Sequence, residues 1–450
     1  MRNKTLMLCV AFALVAVLGG GSAQAQGFFD YFGISDRDPN VLIPNSLEFE
    51  GSFGLFYNSF DYAAMNPADL AFLTGDESTR YLGRPNEAEG TPRVLYTNLA
   101  NFGHVDTFQL GGFMGAGPGN LAGAIGYANS KFEEKDEPGD PVFTTEEDGL
   151  QIFLSYGWKL GDSSALGFTW NLADSSYEEG EEFDYGFKDE AMSNTFVGEY
   201  KQILGENMSF NIGGYISLRD QEWSRDFFDY TDGYQADIAR TGYGVKGRLN
   251  WYRGNTDVEF RAKIGLEDGE LDNDEILRDG SFVIRAIDDD FQSDYYMAAV
   301  RFLHRNGNTD FAGGLELSQS SEEIDVTFQE EGEGTFEFRE EYEFDTFAWT
   351  IPLSVRHWFS PKFSVFMGAR FSWVNDEFEY RETDEGFLDD VDGQETDRTI
   401  TDYRIGCRYK ASDFLAVQLL FGEINEDDDD DYIGPFASKA SESGYFGALP

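Results

Sequence analysis

The chain has 450 residues, of which 84 are aspartate or glutamate and 33 lysine or arginine, for a formal net charge of −51. That balance excludes a nucleic-acid binder, whose affinity needs basic residues facing phosphates. Of its two cysteines, Cys9 lies in an N-terminal leader, so Cys407 is left with no internal disulfide partner.

Arg2 and Lys4, the apolar run Leu6 to Leu18, and Ala23-Gln24-Ala25 read as a secretory signal peptide over residues 1–25, cleaved before Gln26. No later apolar run approaches the roughly 20 residues that a spanning helix needs, so any membrane crossing is expected as strands. Residues 26–90 carry Pro39, Pro44, Pro67 and Pro85 and do not alternate. They read as a plug or hatch ahead of the wall. Within them Asn66, Pro67, Ala68, Asp69 and Leu70 form a helix start: Asn66 caps, Pro67 loses no needed donor, and Asp69 suits the positive helix end. Gly75 is expected to stop this helix after about two turns.

Residues 91–450 alternate strands with two kinds of connection. The clearest unit runs from Gly149 to Ala173: Leu150, Ile152, Leu154, Tyr156, Trp158 and Leu160 share one face, with Gln151, Ser155, Gly157 and Lys159 opposite. After Gly161-Asp162-Ser163-Ser164 the pattern restarts with Leu166, Phe168, Trp170 and Leu172. An oily outside with a small or polar inside, repeated along the chain, is the signature of a transmembrane β-barrel. Short turns are expected at Gly117 to Asn120, Gly161 to Ser164, Gly205 to Asn207, Gly254 to Asp257, Asn306 to Thr309, Ser360 to Lys362 and Ala411 to Asp413. Long acidic loops are expected at Glu133 to Asp148, Asp174 to Glu190, Asp220 to Ile238, Glu267 to Asp290, Ser318 to Phe344, Asn375 to Asp397 and Glu426 to Asp431. Short turns facing the periplasm and long loops facing outside orient every strand. Parity then gives about 14 to 16 strands, the larger number requiring strands at Arg93 to Phe102 and Ile433 to Phe446. Within Ser318 to Phe344, the alternation of Ile324, Val326 and Phe328 with Phe336 and Phe338 suggests a hairpin standing clear of the membrane.

Alternation also sorts the two faces. Ile212, Ile216, Leu218, Phe260, Ile264, Phe347, Leu353 and Met367 fall outward, and Trp158, Trp251, Trp358 and Tyr409 suit interfacial girdles. Inward positions receive Lys159, Lys201, Lys246, Arg248, Arg261, Lys263, Arg301, Arg356, Arg370, Arg404 and Arg408. This basic interior either receives an anionic head group or pairs internally with Glu199, Glu259, Glu316 and Asp402, since a buried charge needs a partner. Asp427, Asp428, Asp429, Asp430 and Asp431 are the best candidates for a surface Ca2+ or Mg2+ site, against the plainer reading of a solvated, self-repelling run. The glycines between Gly111 and Gly119 lack the lysine and hydroxyl residue of a phosphate loop and read as strand and turn glycines. With three histidines, His104, His304 and His357, and no nucleophile elbow or zinc-binding helix, neither catalysis nor a resident cofactor is expected.

Gly51-Ser52-Phe53, followed by Asn66-Pro67-Ala68-Asp69-Leu70-Ala71-Phe72, resembles the N-terminal signature of FadL-type outer-membrane transporters and the related secretion-system shuttle barrels. Asp69 stands where that signature has glycine, and Gly447-Ala448-Leu449-Pro450 replaces the usual aromatic end, leaving Phe446 for the assembly role. The resemblance implies a hatch over Asn66 to Phe72 and a hydrophobic cargo with an anionic end. The combined expectation is an all-β, antiparallel up-and-down transmembrane barrel in a Gram-negative outer membrane. Its expected partners are outer-membrane lipid, the barrel-assembly machinery and a small hydrophobic or anionic solute. The alternatives are a general diffusion porin with a cation-enriching acidic vestibule, and a surface or secretion-associated scaffold barrel.

Overall fold

The computed structural model describes residues 66–72, most of 93–433, and 446–448. The signal peptide and the remainder of 26–90 lie outside the described residues, as does His104. Among the described residues one helix, α1 (Pro67–Leu70), precedes a 17-stranded sheet. Its first strands are β1 (Arg93–Phe102), β2 (Val105–Ala116), β3 (Gly119–Glu134), β4 (Phe143–Lys159), β5 (Ser164–Glu181) and β6 (Tyr185–Leu204). There follow β7 (Met208–Phe227), β8 (Tyr234–Arg253), β9 (Thr256–Asp272), β10 (Leu277–Asp279), β11 (Phe282–Asn306) and β12 (Thr309–Glu331). The last are β13 (Thr335–Ser360), β14 (Phe363–Asp384), β15 (Phe387–Ser412), β16 (Leu415–Ile433) and β17 (Phe446–Ala448).

Every pairing is antiparallel and joins neighbours in the chain, except that β9 pairs with β11 past the three-residue β10. This is up-and-down topology. β10 and the equally short β17 add to the strand number without adding a full pass of the wall. Residues 434–445 of the strand expected over Ile433 to Phe446 lie outside the described residues, and β17 pairs with β16 through Phe446↔Glu426 and Ala448↔Ile424. At the ends of the ladder, β1 and β16 come within 8 Å of each other at Cα.

The expected short turns hold where they are described, the last, Ala411 to Asp413, reaching beyond the described residues. Gly117, Gly205, Gly254 and Gly307 take φ of 58°, 70°, 61° and 59°, a left-handed conformation that costs glycine nothing. The expected long acidic loops are taken up in part by strand, and residues 135–142, 182–184, 228–233, 273–276, 280–281, 332–334 and 385–386 of them lie outside the described residues. Asp174 to Glu181 continues β5, and its ladder with β6 reaches Gly180↔Gly186. Ser318 to Phe344 is a paired hairpin closing at Glu331↔Thr335, in line with the hairpin expected from the alternation of Ile324 to Phe338, and Asp427 to Asp431 lies on β16 opposite Thr399 to Glu395. Backbone pairing is indifferent to side-chain charge, and interleaved aromatics and opposite charges supply the cross-strand contacts. Phe344 and Phe378 have ring centroids 4.8 Å apart, Arg339 pairs with Asp325, and Arg381 lies 3.7 Å from Glu341 across the β13–β14 ladder.

Burial is inverted relative to an ordinary sandwich. Ile212, Ile216, Val245, Phe260 and Met367 are each about half exposed or more, whereas Gln151, Ser155, Thr169, Asn171, Ser217 and Ser364 on the opposite face are buried. Phe153 is an apolar exception on that inner face. Trp358, expected in an outer girdle, instead donates from Nε1 to the buried Asp310 at 3.4 Å, with the Arg356 guanidinium 5.2 Å from its ring. No helix among the described residues is long and apolar enough to cross a membrane.

Candidate functional site

The helix start expected at Asn66 is present but ends after one turn, and all of Asn66 to Phe72 is buried against the inner face of β3 to β6. Asn66 makes no side-chain cap. The helix is satisfied from the wall instead: the Ala68 amide donates to Glu199 Oε2 at 3.0 Å, and Asn120 Nδ2 donates to the carbonyls of Leu70 and Ala71 at 2.8 and 3.3 Å. These contacts meet the unpaired amide and carbonyl groups that any helix end exposes. Two glycines make the seat. A Cβ at Gly167 would collide with the backbone of Pro67 and Ala68, and one at Gly157 with Pro67, Leu70 and Ala71. Phe72 closes the far side against Ala165 and Ile203, with the ammonium groups of Lys159 and Lys201 at 5.5 and 5.9 Å from its ring centre.

Asp69 is the charged centre of this contact. Its Oδ1 accepts from Lys201 Nζ on β6 and its Oδ2 from Arg248 Nη2 on β8, and all three side chains are buried. Burial alone pushes the Asp69 carboxyl up, but the charges of Arg248 and Lys201 and their hydrogen bonds outweigh it and hold it at about 2, against an ordinary 3.8. The carboxylate is therefore ionised at any physiological pH.

Arg248 also belongs to a wider network, 3.6 Å from Glu259 and 4.0 Å from Glu199, while Arg261 pairs with Glu259 from the neighbouring position on β9. The other basic candidates meet acids as well: Arg301 with Glu316 at 3.0 Å, Arg356 with Asp310 at 3.4 Å, and Arg370 and Arg404 with Asp402 at 3.2 and 2.8 Å. Lys263 stands over the rings of Tyr215 and Tyr295 at 5.7 and 4.9 Å, and Lys246 faces it across the β8–β9 ladder. The internal pairing expected with Glu199, Glu259, Glu316 and Asp402 is thus present. His304 and His357 each share a 2.8 Å hydrogen bond with a threonine across the adjoining ladder, Thr256 and Thr309.

Alternation puts Lys201 on the inner face without singling it out, and no local pattern marks Glu199, Asn120, Gly157 and Gly167 as the seat of this helix. Only the small residues facing inward on β4 and β5 hinted at a close backbone approach. Asp427 to Asp431 lies on β16, and its side chains lie outside the described residues. No group of three or more metal-ligating side chains converges among the described residues.

The sequence matches no family model and no curated protein. Solved structures similar in fold include a FadL homologue from Pseudomonas aeruginosa, with 12% identity over 84% of this chain and 94% of that one and a TM-score of 0.35. The copper transporter OprC matches with 9% identity over 78% of each chain at 0.36. The translocator domain of the autotransporter NalP from Neisseria meningitidis matches with 8% identity over 63% of this chain and 87% of that one at 0.32. With likenesses this distant, the fold rests on the continuous antiparallel register and inverted burial of this chain.

Proposed function

We propose that this chain is an outer-membrane transport barrel whose N-terminal segment, seated through Asn66 to Phe72, plugs the lumen and gates the passage of a hydrophobic, anionic-headed small molecule. The observation that carries this reading is the buried ion pair of Asp69 with Lys201 and Arg248, which ties the segment before the wall to two strands of the wall itself. An apolar outer face suits lipid, where all backbone polar groups must be paired. The near approach of β1 to β16 supports closure of the sheet into a barrel. Arg248, Arg261, Lys263 and Lys246 are the head-group contacts favoured here, because they lie on neighbouring strands beside the seat. Arg301, Arg356, Arg370 and Arg404 each meet an acid and serve first as struts of the wall.

Planar-bilayer conductance of the mature protein tests the plug. The intact chain is expected to be silent, and a version lacking residues 26–90 is expected to conduct in stable large steps. Gly167→Ala is expected to fall between them, because the atoms nearest its new Cβ are the backbone of Pro67 and Ala68. Stable large steps from the intact protein would overturn the plug and favour the diffusion porin.

A further inference from the structure

The pairing of Asp69 is unusual in its division of labour: each carboxylate oxygen takes one cation, Oδ1 from Lys201 and Oδ2 from Arg248. A free carboxylate arriving at these two strands would bind in the same manner, since charge-assisted bonds from an ammonium and a guanidinium are what such a group accepts. Withdrawal of the helix would take away the one carboxylate that Lys201 and Arg248 share, leaving Arg248 with Glu259 at 3.6 Å and Glu199 at 4.0 Å, and burying both cations without it is costly unless another anion enters.

We propose that Lys201 and Arg248 form a binding site for the carboxylate of an amphiphilic solute, and that Asp69 occupies it as an internal ligand, so that cargo and hatch compete for the same two cations. The inference rests on the plug reading and adds to it the means of release. A neutral molecule of the same length has no group with which to replace Asp69.

The surrounding register supports an approach along β7 to β9. Arg219 is paired with Arg240, Lys246 with Lys263, and Arg248 with Arg261, so three rungs place like charges directly opposite each other. Such pairs are unfavourable in themselves. From Arg240 to Arg248 they span about 26 Å at the usual rise of a strand. Aromatic rings stand along the same column, Phe291 beside Arg240 at 3.9 Å and Tyr215 and Tyr295 beside Lys263. A carboxylate can move between rungs while its apolar tail lies on these rings, and the column ends at the cations that Asp69 holds.

The test is the binding of dodecanoate and of dodecanol to the refolded full chain, measured by titration calorimetry in nonionic detergent. If Asp69 fills its site at least nine-tenths of the time, Asp69→Asn binds dodecanoate about tenfold or more tighter than the wild type. Dodecanol binding is expected to be the same in both, and Arg248→Gln to abolish the gain. In wild-type protein, which needs no substitution to fold, dodecanoate but not dodecanol is expected to open the segment around Asn66 to Phe72 to proteolysis. Unchanged or weaker dodecanoate binding by Asp69→Asn, an equal gain for dodecanol, or equal proteolysis with both compounds would overturn the competition. A pore opened by Asp69→Asn with no gain in dodecanoate affinity removes the competition and leaves the plug. Intact and truncated chains that conduct alike remove the plug itself.

Discussion

Asp69 concentrates what a single residue can and cannot announce. Its position after Asn66-Pro67-Ala68 marks a helix start, and alternation places Lys201 and Arg248 on the inner face. Their meeting spans 132 and 179 positions of chain, and no local pattern encodes a contact between segments that far apart. The same holds for Glu199, which takes the capping role that the sequence assigns to Asn66. The ion pair predicts an acid response. The docked carboxyl titrates at about 2 and the undocked one at 3.8, so docking is favoured by about 2 kcal/mol of proton linkage. Because the docked value is depressed, this contribution is fully present above pH 4 and is lost as the pH falls towards 2. Conductance of the intact protein is therefore expected to stay closed from neutrality to about pH 4 and to rise between 4 and 2. In Asp69→Asn that rise is absent, which a pH series on the two proteins would show.

At the scale of the element, period-2 alternation located the strands, and the glycine and asparagine turns located one set of their ends. The other ends were misplaced because acidic residues are poor strand formers on average, and runs such as Glu178-Glu179-Gly180-Glu181 read as loops. Cross-strand context decides otherwise. Glu341 sits opposite Arg381, 3.7 Å away, and Phe344 opposite Phe378, with ring centroids 4.8 Å apart, so aromatic and opposite-charge pairs carry the ladder through sequence that looks too polar for it. β13 and β15 have 26 residues each, more than twice the roughly 9 to 11 that cross a bilayer. Hydrogen exchange distinguishes ladder from loop. Amides from Glu322 to Phe328 and from Glu340 to Phe344 are expected to exchange at least tenfold more slowly than an unpaired loop would, being held in a continuous ladder. Exchange at the unprotected rate over both stretches would remove this ladder, and with it the hairpin that the alternation of Ile324, Val326 and Phe328 with Phe336 and Phe338 leads one to expect.

For the whole molecule the decisive property is the separation of charge between interior and exterior. The chain as a whole has more than twice as many acidic as basic residues, yet among the described residues the buried side chains of the strands include eight basic and six acidic groups. Composition alone therefore gives the wrong sign for the interior, and alternation recovers it, because inward positions on β8 and β9 collect Arg240, Lys246, Arg248, Arg261 and Lys263. In the proposed barrel the docked Asp69 offsets part of that excess, and its removal with residues 26–90 exposes it. Ions crossing a narrow, low-dielectric passage respond to the charges lining it more than to distant ones screened within about 10 Å by salt. The unplugged barrel is accordingly expected to prefer anions, with a reversal potential in a potassium chloride gradient of the sign set by chloride. Arg261→Glu, which turns one rung of the column from like to opposite charge, is expected to shift that potential towards zero. Cation preference in the truncated wild type would mean that the acid-rich strand ends govern entry, and would move selectivity from the wall beside the hatch to the mouth above it.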